Sequence, residues 1–145
     1  MDLNKYIDHT ILKASATKDE VTKICNEAKE YKFASVCVNT CHTALVSKLL
    51  EGTGVATCVV VGFPLGAMMS EAKEYEAKLA VAAGANEVDM VINVGALKEK
   101  DYAYVEKDIK AVVEFVFTKA TTDMILESNI QKYIADHPPI QGRFN

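Results

Sequence analysis

The chain has 145 residues, half of them hydrophobic and a quarter charged, which suffices for one domain with a real core and leaves no room for a second of ordinary size. Its net charge of −4, with basic residues scattered rather than gathered into a stripe, argues against nucleic-acid binding. The longest apolar run, Val55 to Leu65, is broken by Thr57, Gly62 and Pro64 and falls short of the ~20 residues that cross a bilayer, so no membrane association is expected.

The start, Met1-Asp2-Leu3-Asn4-Lys5, lacks the charged opening and apolar core of a secretory signal, and the expected location is cytoplasmic. Cys25, Cys37, Cys41 and Cys58 are then expected to be free thiols. Cys37, Cys41 and the adjacent His42 offer three metal-ligating groups. No second cluster with zinc-like spacing accompanies them, so packed thiols are expected and no metal or cofactor.

In chain order, Asp8–Leu12 reads as a strand. Thr17-Lys18-Asp19-Glu20 is a capping box, in which hydroxyl and carboxylate satisfy backbone N–H groups reciprocally, and Val21, Ile24, Cys25 and Ala28 follow on one helical face. Ala34–Asn39 is the second strand, and a shorter helix runs through Ala44, Leu45, Leu49 and Leu50. Val55–Phe63 is the third strand, and Gly62-Phe63-Pro64-Leu65-Gly66 makes a tight turn out of it, its glycines serving backbone geometry. An alanine-rich helix from about Ser70 ends near Gly84, a natural residue for a left-handed C-terminal turn. Glu87–Asn93 is the fourth strand, and Val105, Ile109, Val112, Val113 and Val116 then recur at helical spacing. From Thr118 the pattern changes: Leu126, Ile130, Tyr133 and Ile134 fit one face of an amphipathic helix, His137-Pro138-Pro139-Ile140 stops it, and the end looks loose. Met124–Leu126 is the sole candidate there for a short fifth strand.

Strand and helix alternating four times imply an α/β fold with parallel strands joined by right-handed crossovers. An open doubly wound sheet and a β/α barrel both satisfy the alternation. No GxGxxG or Walker-type loop follows any strand, which disfavours a nucleotide-binding version of the open sheet.

The fourth strand is unusual. Glu87, Asp89, Val91 and Asn93 share one face, while Val88, Met90 and Ile92 share the other, which helices should cover. In a barrel, Asp89 then points inward, where an unpaired carboxylate is desolvated at several kcal/mol, and a carboxylate so held near strand ends is a proton-transfer candidate. The first strand likewise puts Asp8, Thr10 and Leu12 on one face, and the second Ser35, Cys37 and Asn39. Polar groups converging from three strands suit a site in a barrel mouth; on an open sheet Asp8 and Asp89 are simply solvated. His9 should face the helices as a hydrogen-bonded structural residue, and His42 and His137 read as surface groups. Lys13 and Lys98 lie near strand ends, where exposed lysines are common.

Several ordered motifs go further. Tyr6-Ile7-Asp8-His9-Thr10-x-Leu12-Lys13, Phe33-Ala34-Ser35-Val36-Cys37-Val38-Asn39, Val61-Gly62-Phe63-Pro64-Leu65-Gly66 and Glu87-Val88-Asp89-Met90-Val91-Ile92-Asn93 resemble deoxyribose-phosphate aldolases in order and spacing. Val94-Gly95-Ala96-Leu97 and Val105-Glu106-Lys107-Asp108-Ile109 continue the match to about Val116. The resemblance implies a TIM-type β/α barrel truncated to about its first four βα units, with residues 1–117 as the partial barrel and 118–145 as a non-family tail. It implies reversible, metal-free cleavage of 2-deoxy-D-ribose 5-phosphate to glyceraldehyde 3-phosphate and acetaldehyde through a lysine Schiff base. Asp89 matches the family's proton donor and acceptor, Asp8 an aspartate of the supporting polar network, and Cys37 a thiol lining the substrate pocket. The family's Schiff-base lysine lies on the sixth strand and its partner lysine on the seventh, beyond the matched motifs, so the polypeptide alone is expected to be inactive. The alternative is a non-catalytic half-barrel that self-associates through its exposed edge and apolar surface.

Overall fold

A computed structural model describes residues 2–120, and the side chains of residues 2–114. The expected helix and loose end of the tail, and the candidate fifth strand, lie outside the described residues. Four strands, β1 (Asp8–Ile11), β2 (Ser35–Asn39), β3 (Ala56–Val61) and β4 (Glu87–Met90), alternate with helices α1 (Lys18–Tyr31), α2 (Thr43–Leu50), α3 (Ser70–Ala82), α4 (Val94–Lys98) and α5 (Tyr102–Ala120). Among the described residues no helix is long and apolar enough to cross a membrane.

Local chemistry sets the boundaries. The capping box of α1 is complete: Glu20 N–H donates to Thr17 Oγ1 at 3.3 Å and Thr17 N–H donates to Glu20 Oε2 at 2.8 Å. Val21, Ile24, Cys25 and Ala28 are its buried stripe, as their spacing predicts. β3 stops at Val61 because Gly62 turns out of the sheet at φ +67°, and Gly66 N–H closes the turn on Gly62 O at 2.8 Å. A Cβ on Gly66 would stand 2.0 Å from Ile92 O, so this glycine is required by the backbone that leaves β4. β4 ends before Asn93, whose side chain accepts from Ala96 N–H at 3.1 Å and starts α4, a short helix absent from the sequence reading.

All neighbouring strands are parallel and their order is β1-β2-β3-β4. A doubly wound sheet reverses direction part-way so that helices cover both faces. Here the winding never reverses, which is the arrangement of a β/α barrel, carried through four strands. Val36, Val38, Val59 and Val61 on the helix-covered face are fully buried, each contributing roughly 1.5 kcal/mol or more through apolar area removed from water.

In α2 the buried residues are Thr43, Val46 and Leu50, Leu45 and Leu49 pack partly buried against the core, and Ala44 is exposed; the Thr43 hydroxyl donates to Thr40 O at 2.7 Å at the helix start. In α5 Val105 and Val112 are buried but Ile109 is exposed, and Asp108 occupies the centre of the stripe. Asp108 is fully buried with Lys73 of α3: Lys73 Nζ lies 2.5 Å from Asp108 Oδ2, Ser70 Oγ donates to Asp108 Oδ1 at 2.8 Å, and Asn93 N–H donates to Oδ2 at 3.3 Å. One carboxylate thus ties α3, α5 and the exit of β4 together. An ion pair deprived of water needs such full satisfaction to persist.

Candidate active site

Alternation within the strands and parallel register between them decide which side chains meet. Asp8 pairs with Ser35, Thr10 with Cys37, Cys37 with Cys58, Cys58 with Glu87, and Val60 with Asp89, so all of these lie on the face away from the helices. The sequence-predicted residues Asp8, Cys37 and Asp89 therefore share one surface. Ser35 Oγ donates to Asp8 Oδ1 at 2.6 Å. The two cysteine sulfurs and a carboxylate oxygen of Asp89 lie within 4.8 Å of one another.

Burial on this face differs from the expectation for a barrel interior. The central strands bury Ser35, Cys37 and Cys58, whereas Asp8, Glu87 and Asp89 on the outer strands are exposed. Asp89 is on the predicted face but is not desolvated, because among the described residues nothing stands over β4 on that side. The thiols feel their surroundings more strongly. A hydrogen bond between them raises the Cys58 thiol well above its ordinary range, with burial acting in the same direction. The same bond lowers the Cys37 thiol, against burial and the Asp89, Asp8 and Glu87 carboxylates. Glu87 is exposed as a residue, yet partial desolvation of its carboxyl against the sheet, followed by the charges of Asp8 and Asp89, raises it.

The remaining candidates separate from this cluster. His9 lies on the helix side, Nε2 2.7 Å from Glu27 Oε2 with its ring tilted against Phe33, the structural role expected of it. Lys13 pairs with Glu20 at the start of α1, and Lys98 is exposed in the last turn of α4. Cys41 is exposed and His42 half-buried at the start of α2; neither joins Cys37 in a group of ligand atoms. His137 lies outside the described residues. An open groove of about 620 Å³ between the end of α2 and the start of β3, lined by Leu50, Gly54, Val55 and Asn86, sits at the N-terminal ends of the strands. Chemistry in βα folds is built at the opposite ends.

Sequence reasoning missed Cys58 and the Lys73–Asp108 pair as members of buried or polar clusters. Cys58 was legible as the even-numbered partner of Cys37 once β2 and β3 were aligned. The pair carried its own signal. Ser70, Lys73, Ala77 and Ala80 form one helical stripe and Val105, Asp108 and Val112 another, so opposite charges stand in the apolar faces of two helices.

The sequence profile of DeoC/LacD family aldolases matches residues 3–122. A deoxyribose-phosphate aldolase of Clostridium novyi is 68% identical over 128 residues, covering 88% of this chain and 58% of its own length. One from Finegoldia magna is 63% identical over 112 residues, covering 77% of this chain and 53% of its own length. The solved structure of deoxyribose phosphate aldolase from Aeropyrum pernix superposes with a TM-score of 0.71 at 33% identity, over 79% of this chain and 47% of that one. The chain thus spans little more than half the length of the curated relatives it matches, and with the family profile covering residues 3–122 it belongs to the deoxyribose-phosphate aldolase family.

Proposed function

We propose that this chain supplies the aspartate-bearing half of a class I aldolase site that cleaves 2-deoxy-D-ribose 5-phosphate reversibly to glyceraldehyde 3-phosphate and acetaldehyde. In such a reaction a lysine amine condenses with the substrate carbonyl, the iminium accepts the electron pair of the breaking carbon–carbon bond, and a carboxylate moves protons to and from the substrate. Asp89 is that carboxylate in this reading, Asp8 holds the polar network through Ser35, and Cys37 lines the pocket. The observation that carries it is the conjunction of the family match with Asp8, Cys37 and Asp89 on one sheet face, where the two carboxylates are exposed and the thiol is buried between them. Three buried free thiols fit a reducing compartment such as the cytoplasm.

In this reading the nucleophile is a lysine of later strands, as the family resemblance implies. Lys73 is sealed against Asp108 on the helix side, and Lys13 is engaged by Glu20. Borohydride reduction in the presence of acetaldehyde, read by mass spectrometry, is therefore expected to leave the 145-residue polypeptide unmodified; a single reduced adduct would overturn this. Mixed with the C-terminal half of the Clostridium novyi relative, the polypeptide should gain cleavage activity that Asp89→Asn abolishes. Activity surviving Asp89→Asn would remove the aspartate from the mechanism.

A second reading, association of two copies through the sheet, is favoured by β1 and β4, which each have an unpaired edge among the described residues. Light scattering showing a monomer at micromolar concentration would rule it out.

A further inference from the structure

The strands bring together three groups whose chemistry the aldolase reading does not use jointly. Cys37 and Cys58 are register partners on adjacent parallel strands, a position that fixes both Cα atoms and leaves only side-chain torsions to adjust. Asp89 stands beside them on β4, and its carboxylate oxygen and the two sulfurs all lie within 4.8 Å of one another. We propose that Cys37, Cys58 and Asp89 form a binding site for a thiophilic divalent cation of the zinc class, with three protein ligands and a fourth position open to solvent.

The geometry is close to what tetrahedral zinc requires. Zn–S bonds of about 2.3 Å and Zn–O bonds of about 2.0–2.2 Å put the ligand atoms roughly 3.5–3.8 Å apart, a contraction of at most about 1.3 Å from the 4.8 Å within which they lie. Asp89 is exposed and gives the ion a way in, while the sulfurs are shielded. Asp8 and Glu87 line the same face and add negative potential. The short sequence spacing that groups Cys37 with Cys41 and His42 is misleading; the fold joins Cys37 to Cys58 and Asp89 across strands instead. Binding displaces the thiol protons into solvent, so it strengthens as pH rises. Occupancy would compete with proton transfer at Asp89, a corollary that rests on the proposed function; binding itself does not.

The test is titration of the 145-residue protein with cobalt(II) and then zinc(II), in a phosphine reductant that keeps the thiols reduced. The expected result is one equivalent of cobalt with a thiolate-to-metal charge-transfer band, bleached by zinc. Cys37→Ser and Cys58→Ser should each lose the site, Asp89→Asn should weaken it at least about tenfold, and Cys41→Ser should bind as the parent does. Absence of a thiolate band in the parent, its survival in Cys37→Ser or Cys58→Ser, or its loss in Cys41→Ser would refute the site. Asp89 is exposed, so Asp89→Asn leaves the fold intact and provides a check independent of the buried positions. Unchanged cobalt affinity in that variant would also refute it. The readout is absorbance without turnover, so failure of the aldolase reading leaves this result interpretable.

Discussion

Asp108→Asn keeps the shape of the side chain but leaves a single carbonyl oxygen where Ser70, Lys73 and Asn93 found two acceptors, and it removes the charge that faces Lys73. Lys73 and Asp108 are both without solvent exposure, so the ammonium left behind has neither water nor counter-ion. Removing one partner of a pair so completely buried costs about 3–5 kcal/mol, and Lys73→Met should fall in the same range because it strands the carboxylate. For a folded unit of this size that corresponds to a melting temperature lower by about 10–20 °C. Removing both charges, as Lys73→Met with Asp108→Leu, abolishes the electrostatic conflict. What remains is the loss of an acceptor for the Ser70 hydroxyl and the Asn93 N–H, roughly 1 kcal/mol each. The double variant should therefore lie within about 2 kcal/mol of the parent and clearly above either single variant. Urea unfolding followed by far-ultraviolet circular dichroism suits a chain without tryptophan, and equal slopes across the four proteins make the midpoints comparable. Single variants that lose less than about 1 kcal/mol, or a double variant that loses the sum of the two, would refute the reading of this pair as one coupled unit.

Three further outcomes are expected. Gly66→Ala forces a side chain into φ +63° and a Cβ into Ile92 O, and should lower stability by more than about 2 kcal/mol; an unchanged urea midpoint would contradict the close approach. Glu87 carries a carboxyl raised from its ordinary value of 4.5, so the folded state holds more protons than the unfolded one in the window above that value, and stability falls as pH rises through it. Glu87→Gln should accordingly raise the melting temperature at pH 7, with the advantage disappearing below pH 4.5; a gain that persists there would point to packing instead. Thr17→Ala removes the hydroxyl that accepts from Glu20 N–H and should cost about 1 kcal/mol, measured by the same urea titration.

Most of the fold was legible because its signals are local. The capping box needs only four residues, and the alternation within each strand is visible without knowing its neighbours. What sequence periodicity left open was the choice between barrel and doubly wound sheet, since that depends on whether the winding reverses, a property of strand order alone. Asp8, Cys37 and Asp89 were placed on a common face by period-two counting, which the register upholds. Their burial was not readable, because exposure depends on what stands over a strand and not on the strand itself. Cys58 escaped because the third strand reads as mostly apolar, and only its register with Cys37 brings the two thiols together. Ile109 was misassigned to the buried stripe because a helical stripe tolerates a one-residue rotation, and the Lys73 ammonium opposite draws Asp108 inward in its place.

The consecutive strand order also bears on how the molecule assembles. Each strand hydrogen-bonds to the one immediately before it in the chain, so no pairing has to wait for a distant segment to arrive. Loop closure is limited to one intervening helix at each step, which keeps the entropic penalty of every new contact small. A growing polypeptide can then add one βα unit at a time onto an edge that is already formed, and each addition lengthens the polar face by one strand without disturbing those in place.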